Sequence, residues 1–339
     1  MRALIALGGN AMTSSTGEAT VEAQEAALGV AADRIADLVA QGVEVVITHG
    51  NGPQVGNLLV KNELAADVVP MVPLDWCGAQ TQGTIGFTLA KRLDESLRAR
   101  GIEKQATAVI TRTLVDAEDP GFTNPTKPIG RFLTEEQAKR FIDEGQTWRD
   151  MGERGWRRVV PSPEPIEILD APAVLTLVRA GFVTVAAGGG GIPVVRQDDG
   201  SIAGAQAVID KDLAAALLGR LVEADVMIIA TDVEHAIVGY GTPHARSLGT
   251  VGVDELTEIA AQGHFAAGSM GPKVEAALRF ARSGGRSVIT SLDHIIGAVE
   301  GHVGTQVTPA HDQPSTDHPN NHDLNTTTKG TASSHARSH

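Results

Sequence analysis

A single cysteine, Cys77, in 339 residues excludes an internal disulfide framework and a multi-cysteine zinc site. Aromatic residues make up only 3% of the chain, so Ala, Val, Leu and Ile must pack the core. No apolar run approaches the roughly 20 residues of a membrane helix. Nor does the N-terminus read as a signal peptide: a short strand-like run after Arg2 leads straight to Gly8-Gly9. A cytoplasmic protein is expected. Positive charge is scarce too. The net charge of −13 argues against a nucleic-acid-binding surface and offers an anionic ligand no long-range attraction. Any phosphate must therefore be held locally. Of the basic residues 20 are arginine and only 8 lysine, so a lysine inside a glycine- or proline-rich stretch needs a reason.

What is present is a repeated order of apolar strand, glycine turn and helix. Residues 3–7, 43–48, 107–111, 183–187, 226–230 and 287–290 read as strands, and 21–41 as a helix. The strands are continuous Val/Ile/Ala runs, the pattern of strands covered on both faces. An α/β fold is predicted, with a mainly parallel sheet between helices. The rhythm breaks over residues 116–165, which hold six of the sixteen prolines and two of the three tryptophans. Fifty residues exceed an ordinary connection, so a small inserted lobe or lid is expected there. Residues 309–339 are polar, His-rich and nearly free of large apolar side chains, and are expected to stay disordered. Their five histidines are irregularly spaced, as in a solvated tail.

Parallel sheets bind ligands where strands end and helices begin. Glycine clusters fall at such ends: Gly8-Gly9, Gly50-Asn51-Gly52, Gly188 to Gly191, and Gly268-Ser269-Met270-Gly271. Together they point to an anion, although the P-loop and the dinucleotide-binding fingerprints are both missing. Lys211 stands where a helix begins, and Lys273 follows Gly271-Pro272 at the start of another. Taken singly, each reads as a solvated surface lysine. A lysine in the first helical turn opposes the helix dipole, and two in that position become favourable with a polyphosphate between them. Asp212 reads either as a first-turn acid or as the group that holds both ammoniums. Lys127, stiffened by Pro125 and Pro128, is an exposed loop lysine or the tip of a lid that adds a third charge. Cys77 reads as a buried thiol on a helix face close-packed through Ala79, Gly83 and Gly86. His49 reads as a turn residue.

These segments resemble the successive motifs of carbamate kinases, in the order expected of that family and over residues 1 to about 308. The matching stretches are Gly8-Gly9-Asn10-Ala11, residues 48–56, Leu74-Asp75 with Cys77-Gly78-Ala79-Gln80, residues 124–130 around Lys127, 157–165, 188–193, 208–216 and 268–276. The resemblance implies a homodimeric three-layer α/β/α sandwich of the amino acid kinase type. Residues 1–205 would form the acceptor lobe, with 116–165 as a protruding subdomain, and 206–308 the nucleotide lobe. Phosphoryl transfer between carbamoyl phosphate and ADP would follow, with Mg²⁺ held mainly through phosphates and arginine breakdown as the setting. Gly8, Gly9 and Asn10 would hold the transferred group. Gly50, Asn51 and Gly52 would hold carbamate, with Lys127 reaching in. Lys211 and Lys273 would bridge the nucleotide phosphates, organised by Asp212. Thr231, Asp232, Val233, Tyr240, Ser269, Met270, Gly271 and Pro272 would complete the nucleotide site. Many superfamily members carry a lysine where this chain has Ala6, and Lys211 is the natural replacement charge. Tyr240 lies three residues beyond Ile237, the position where the family often has tyrosine. Two other readings stand beside this one: a superfamily kinase for another acceptor, such as acetylglutamate or a small phosphonate, and a non-catalytic nucleotide sensor.

Overall fold

The computed structural model describes residues 1–9, 20–266 and 269–309. Asn10, Gly268 and nearly all of the predicted tail lie outside the described residues.

Eight strands form the central sheet, in the order Thr250–Gly252, Thr305–Thr308, Arg286–Ser291, Val226–Thr231, Arg2–Leu7, Glu44–His49, Val183–Val185 and Ala106–Ala108. Six run parallel. The two at the Thr250–Gly252 edge run against them, since Thr305–Thr308 pairs antiparallel with Arg286–Ser291. Strand alternation builds two cores at once. Ala3, Ile5, Leu7, Val45 and Ile47 face the helices Val21–Ala40, Leu74–Ala99 and Ile295–Glu300. Leu4, Ala6, Val46, Met227 and Ile229 face Ala171–Arg179, Lys211–Leu221, Val253–Ala261 and Met270–Arg282. The result is a three-layer α/β/α sandwich. Strands from residues before 206 make one half of the sheet and strands from residues after 206 the other, meeting where Arg2–Leu7 pairs with Val226–Thr231.

Within the segment read as an insertion, Lys127–Leu133, Trp156–Val160 and Trp148–Asp150 form a separate antiparallel sheet. The helix Glu135–Asp143 covers it, started by a capping box of Thr134 and Gln137. Leu133, Ala138, Phe141 and Trp148 make its own small core, with the Phe141 and Trp148 rings stacked 5.6 Å apart.

Local departures have physical reasons. The strand expected over 107–111 splits: Ala106–Ala108 joins the central sheet, and Arg112–Leu114 pairs with Ile192–Arg196 in a second sheet. Between them the buried Gln82 takes the ladder's place, accepting from the Thr111 amide at 2.8 Å and donating to the Thr111 and Gly188 carbonyls. On the helix Leu74–Ala99, Gly86 approaches Ala108 too closely for a Cβ, but Gly83 is exposed. The close-packed face is therefore narrower than its small residues implied.

Candidate active site

Arg2–Leu7 and Val226–Thr231 are neighbours whose following helices lie on opposite faces of the sheet. A crevice opens at such a switch point. It is a cleft of about 310 Å³, lined by Gly8, Gly9, Lys127, Asp210, Lys211, Asp212, Thr231, Asp232, Ser269, Pro272 and Lys273. Gly8 is required here, because a Cβ would come within 2.9 Å of the Ala230 carbonyl oxygen, to which the Gly8 amide donates.

Three elements deliver the three lysines. Lys211 and Lys273 stand in the first turns of the helices Lys211–Leu221 and Met270–Arg282, which pack side by side. Lys127 begins a strand of the small sheet. Asp212, 4% exposed, divides its carboxylate between two ammoniums, Lys211 Nζ at 2.5 Å and Lys273 Nζ at 3.0 Å. Burial alone would raise its carboxyl, but the two ammoniums outweigh burial and hold it at about 2. Lys211 is pushed below the ordinary lysine value by burial and by Lys273, with Asp212 opposing the shift.

Asp210 carried no role in the sequence reading, yet it lines the cleft. Its Oδ1 accepts from the Asp212 and Leu213 amides and so caps the helix, while Oδ2 accepts from Lys127 Nζ at 2.7 Å. The signal was an Asp immediately before a predicted helix start. Two helix-terminal amides expected to meet phosphate are thus already taken. The attraction at this helix comes from the lysine side chain. Three lysines face three aspartates across the cleft, so its side chains carry no net charge.

Other predicted residues fall elsewhere. Gly50, Asn51, Gly52, Val233, Tyr240, Met270 and Gly271 do not line the cleft. The Gly50 loop is still adjacent, since the Gly50 amide donates to the Leu7 carbonyl. Asn51's side chain is buried and donates to Thr81 Oγ1 at 3.0 Å. Tyr240 is 79% exposed on a hairpin tip between Gly239 and Gly241, both at positive φ. Met270 packs against the sheet core. The Gly188 to Gly191 run, grouped by sequence with the anion loops, is a packing loop. Cβ atoms there would overlap His49, Asn51, Ile209 and Thr113, and the Gly190 and Gly191 amides donate to carbonyls within the turn. His49 under it is buried, its Nδ1 2.7 Å from the Gly50 carbonyl oxygen. Burial, reinforced by Lys211 and only partly opposed by that carbonyl, lowers its imidazole to about 4, so it is neutral at pH 7.

Asp232 is the exposed carboxylate of the cleft, with one oxygen accepting from Thr231 Oγ1. No cluster of three metal-ligating side chains occurs among the described residues. This donor set fits Mg²⁺ brought in on phosphate oxygens, which needs only one or two carboxylates.

A family model for the amino acid kinase family matches residues 1–291. A carbamate kinase from Thermococcus kodakarensis is 49% identical over 311 residues, covering 90% of this chain and 98% of that protein. Carbamate kinase 1 from Enterococcus faecium is 45% identical over 310 residues, with 90% and 98% covered. The solved carbamate kinase from Giardia lamblia bound to AMP-PNP superposes with a TM-score of 0.86 at 41% identity, covering 91% of this chain and 98% of that one. The chain belongs to the amino acid kinase family, in its carbamate kinase branch, and is a phosphotransferase enzyme. No helix among the described residues is long and apolar enough to cross a membrane.

Proposed function

We propose that the enzyme moves a phosphoryl group reversibly between carbamoyl phosphate and ADP, giving ATP and carbamate. The observation that carries this reading is the meeting of Lys127, from the small sheet, with Lys211 and Lys273 in one cleft. An oxygen of the ADP β-phosphate attacks phosphorus, and the bond from phosphorus to the carbamoyl oxygen breaks. Carbamate is an anion at neutral pH and leaves as one, so neither direction needs a general acid or base. Positioning and charge neutralisation remain, and fixed ammoniums supply both. Lys211 and Lys273 bridge the nucleotide phosphates and the moving group, with Asp212 keeping them parallel. Gly8 and Gly9, with Asn10, hold the phosphoryl unit. The loop of Gly50, Asn51 and Gly52 holds carbamate, and Lys127 covers it. Thr231, Asp232, Val233, Ser269, Met270, Gly271 and Pro272 border the nucleotide, with Tyr240 swinging in on its glycine-flanked tip.

Because the lysines and aspartates of the cleft balance in charge, free ADP gains little net attraction from the site. Mg²⁺ on the phosphates, beside Asp232, would supply the missing positive charge. A homodimer formed over the helix Leu74–Ala99 completes the proposal: Trp76 and Phe87, eleven residues apart and so on one face, are 61% and 65% exposed. The setting we infer is the cytoplasm and the end of arginine breakdown. A coupled assay for ATP from ADP and carbamoyl phosphate tests the chemistry. Acetylglutamate and a small phosphonate, offered with ATP, form the comparison panel. ATP formation from carbamoyl phosphate is expected, and turnover with another acceptor in its place would overturn the assignment.

A further inference from the structure

Asp210 has two jobs in different parts of the fold. Through Oδ1 it caps the helix that carries Lys211 and Asp212, and through Oδ2 it grips the ammonium that begins the small sheet. Both partners are largely sheltered, with Lys127 33% and Asp210 16% exposed. Among the described residues no other ion pair joins the small sheet to this helix or its cap. A lysine stem has four rotatable bonds, so an unheld Lys127 would have to be ordered afresh in every turnover. Its ammonium has three N–H donors, and one given to Asp210 leaves two for the oxygens of a substrate.

We propose that Asp210 is the positioning residue for Lys127, holding its ammonium over the phosphoryl path while fixing the helix that aims Lys211. One carboxylate thereby sets the lid against the nucleotide-side lysines. The inference rests on the phosphoryl-transfer reading of the cleft. Helix capping is the competing role, and Asp210→Asn separates the two. Asparagine caps a helix about as well as aspartate. Its amide cannot accept an ion pair from Lys127.

In the coupled ATP assay, Asp210→Asn is expected to lower kcat by roughly tenfold or more, while the KM for ADP stays within about threefold. The same change made in a Lys127→Ala enzyme should lower kcat by less than about threefold, because the residue it serves is already gone. Equal losses in the two backgrounds would overturn the proposal, as would an undiminished kcat in the single variant. A second readout needs no turnover: NMR of ¹³C-methylated lysines in the substrate-free protein, with Lys127 assigned through Lys127→Arg. Its resonance is expected to move in Asp210→Asn, and an unmoved resonance contradicts the proposal. Wild-type enzyme that makes no ATP from carbamoyl phosphate would sink the substrate assignment, while the NMR result still decides the Lys127 contact.

Discussion

Replacing Asp212 by Asn keeps the shape of the side chain and removes only its charge. The carboxylate has an ammonium on each oxygen, at 2.5 and 3.0 Å, and almost no access to water. At a charge separation near 4 Å and an effective dielectric of about 20, each attraction is worth about 4 kcal/mol. Lys211 is already below the ordinary lysine value through burial, and the lost attraction lowers it further. Two ammoniums would also face each other unscreened. Lys211 then gives up its proton more readily as the pH rises, and the transferring group loses a stabilising charge. A lysine with lowered proton affinity regains its charge as the pH falls. The deficit should accordingly be largest at high pH. We expect kcat for ATP formation to drop roughly 100- to 1000-fold at pH 8, with partial recovery toward pH 6 while the wild type changes little. Circular dichroism would confirm that the variant is folded. An Asp212→Asn enzyme within about threefold of wild type, or a deficit that does not shrink in acid, refutes the reasoning.

His49 makes acid stability predictable. The unfolded chain takes up its proton near pH 6.5, whereas the folded imidazole resists until about pH 4. Its contribution is intact above pH 6.5 and is lost as the pH falls toward 4, by about 3 kcal/mol in all. Denaturant titrations across this range should show a shallower pH slope for His49→Gln, and an unchanged slope would exclude the histidine as the cause. Cys77 is fully buried, and burial raises its thiol. A thiol reagent should label it only after unfolding, and rapid labelling of the native enzyme would mean that the helix Leu74–Ala99 opens.

The sequence made the layers legible because the strands are apolar runs, and three of them, 3–7, 43–48 and 183–187, end at glycine turns. Lys211 and Lys273 stood out because lysine is rare in this chain and both sit where a helix dipole disfavours them. Less visible was anything that depended on a distant partner. Gly188 to Gly191 looked like an anion loop, but those glycines are fixed by side chains on other elements, among them His49 and Thr113. Thr250–Gly252 and Thr305–Thr308 are too short and too polar to read as strands, and only pairing with Arg286–Ser291 and each other defines them. Asp210 was in plain view as a helix-starting acid. Its grip on Lys127, 83 residues earlier in the chain, appears only in the fold.

The central claim is that three ammoniums from three separate elements act on one phosphoryl group. Lys127→Ala, Lys211→Ala and Lys273→Ala, each shown to be folded, should be assayed together for ATP formation from carbamoyl phosphate and ADP, with ADP affinity measured by calorimetry. Each should lose turnover by about 100-fold or more, with ADP affinity retained in Lys127→Ala alone. Near-normal turnover in any one of the three, or an equal loss of ADP affinity in Lys127→Ala, would contradict the account.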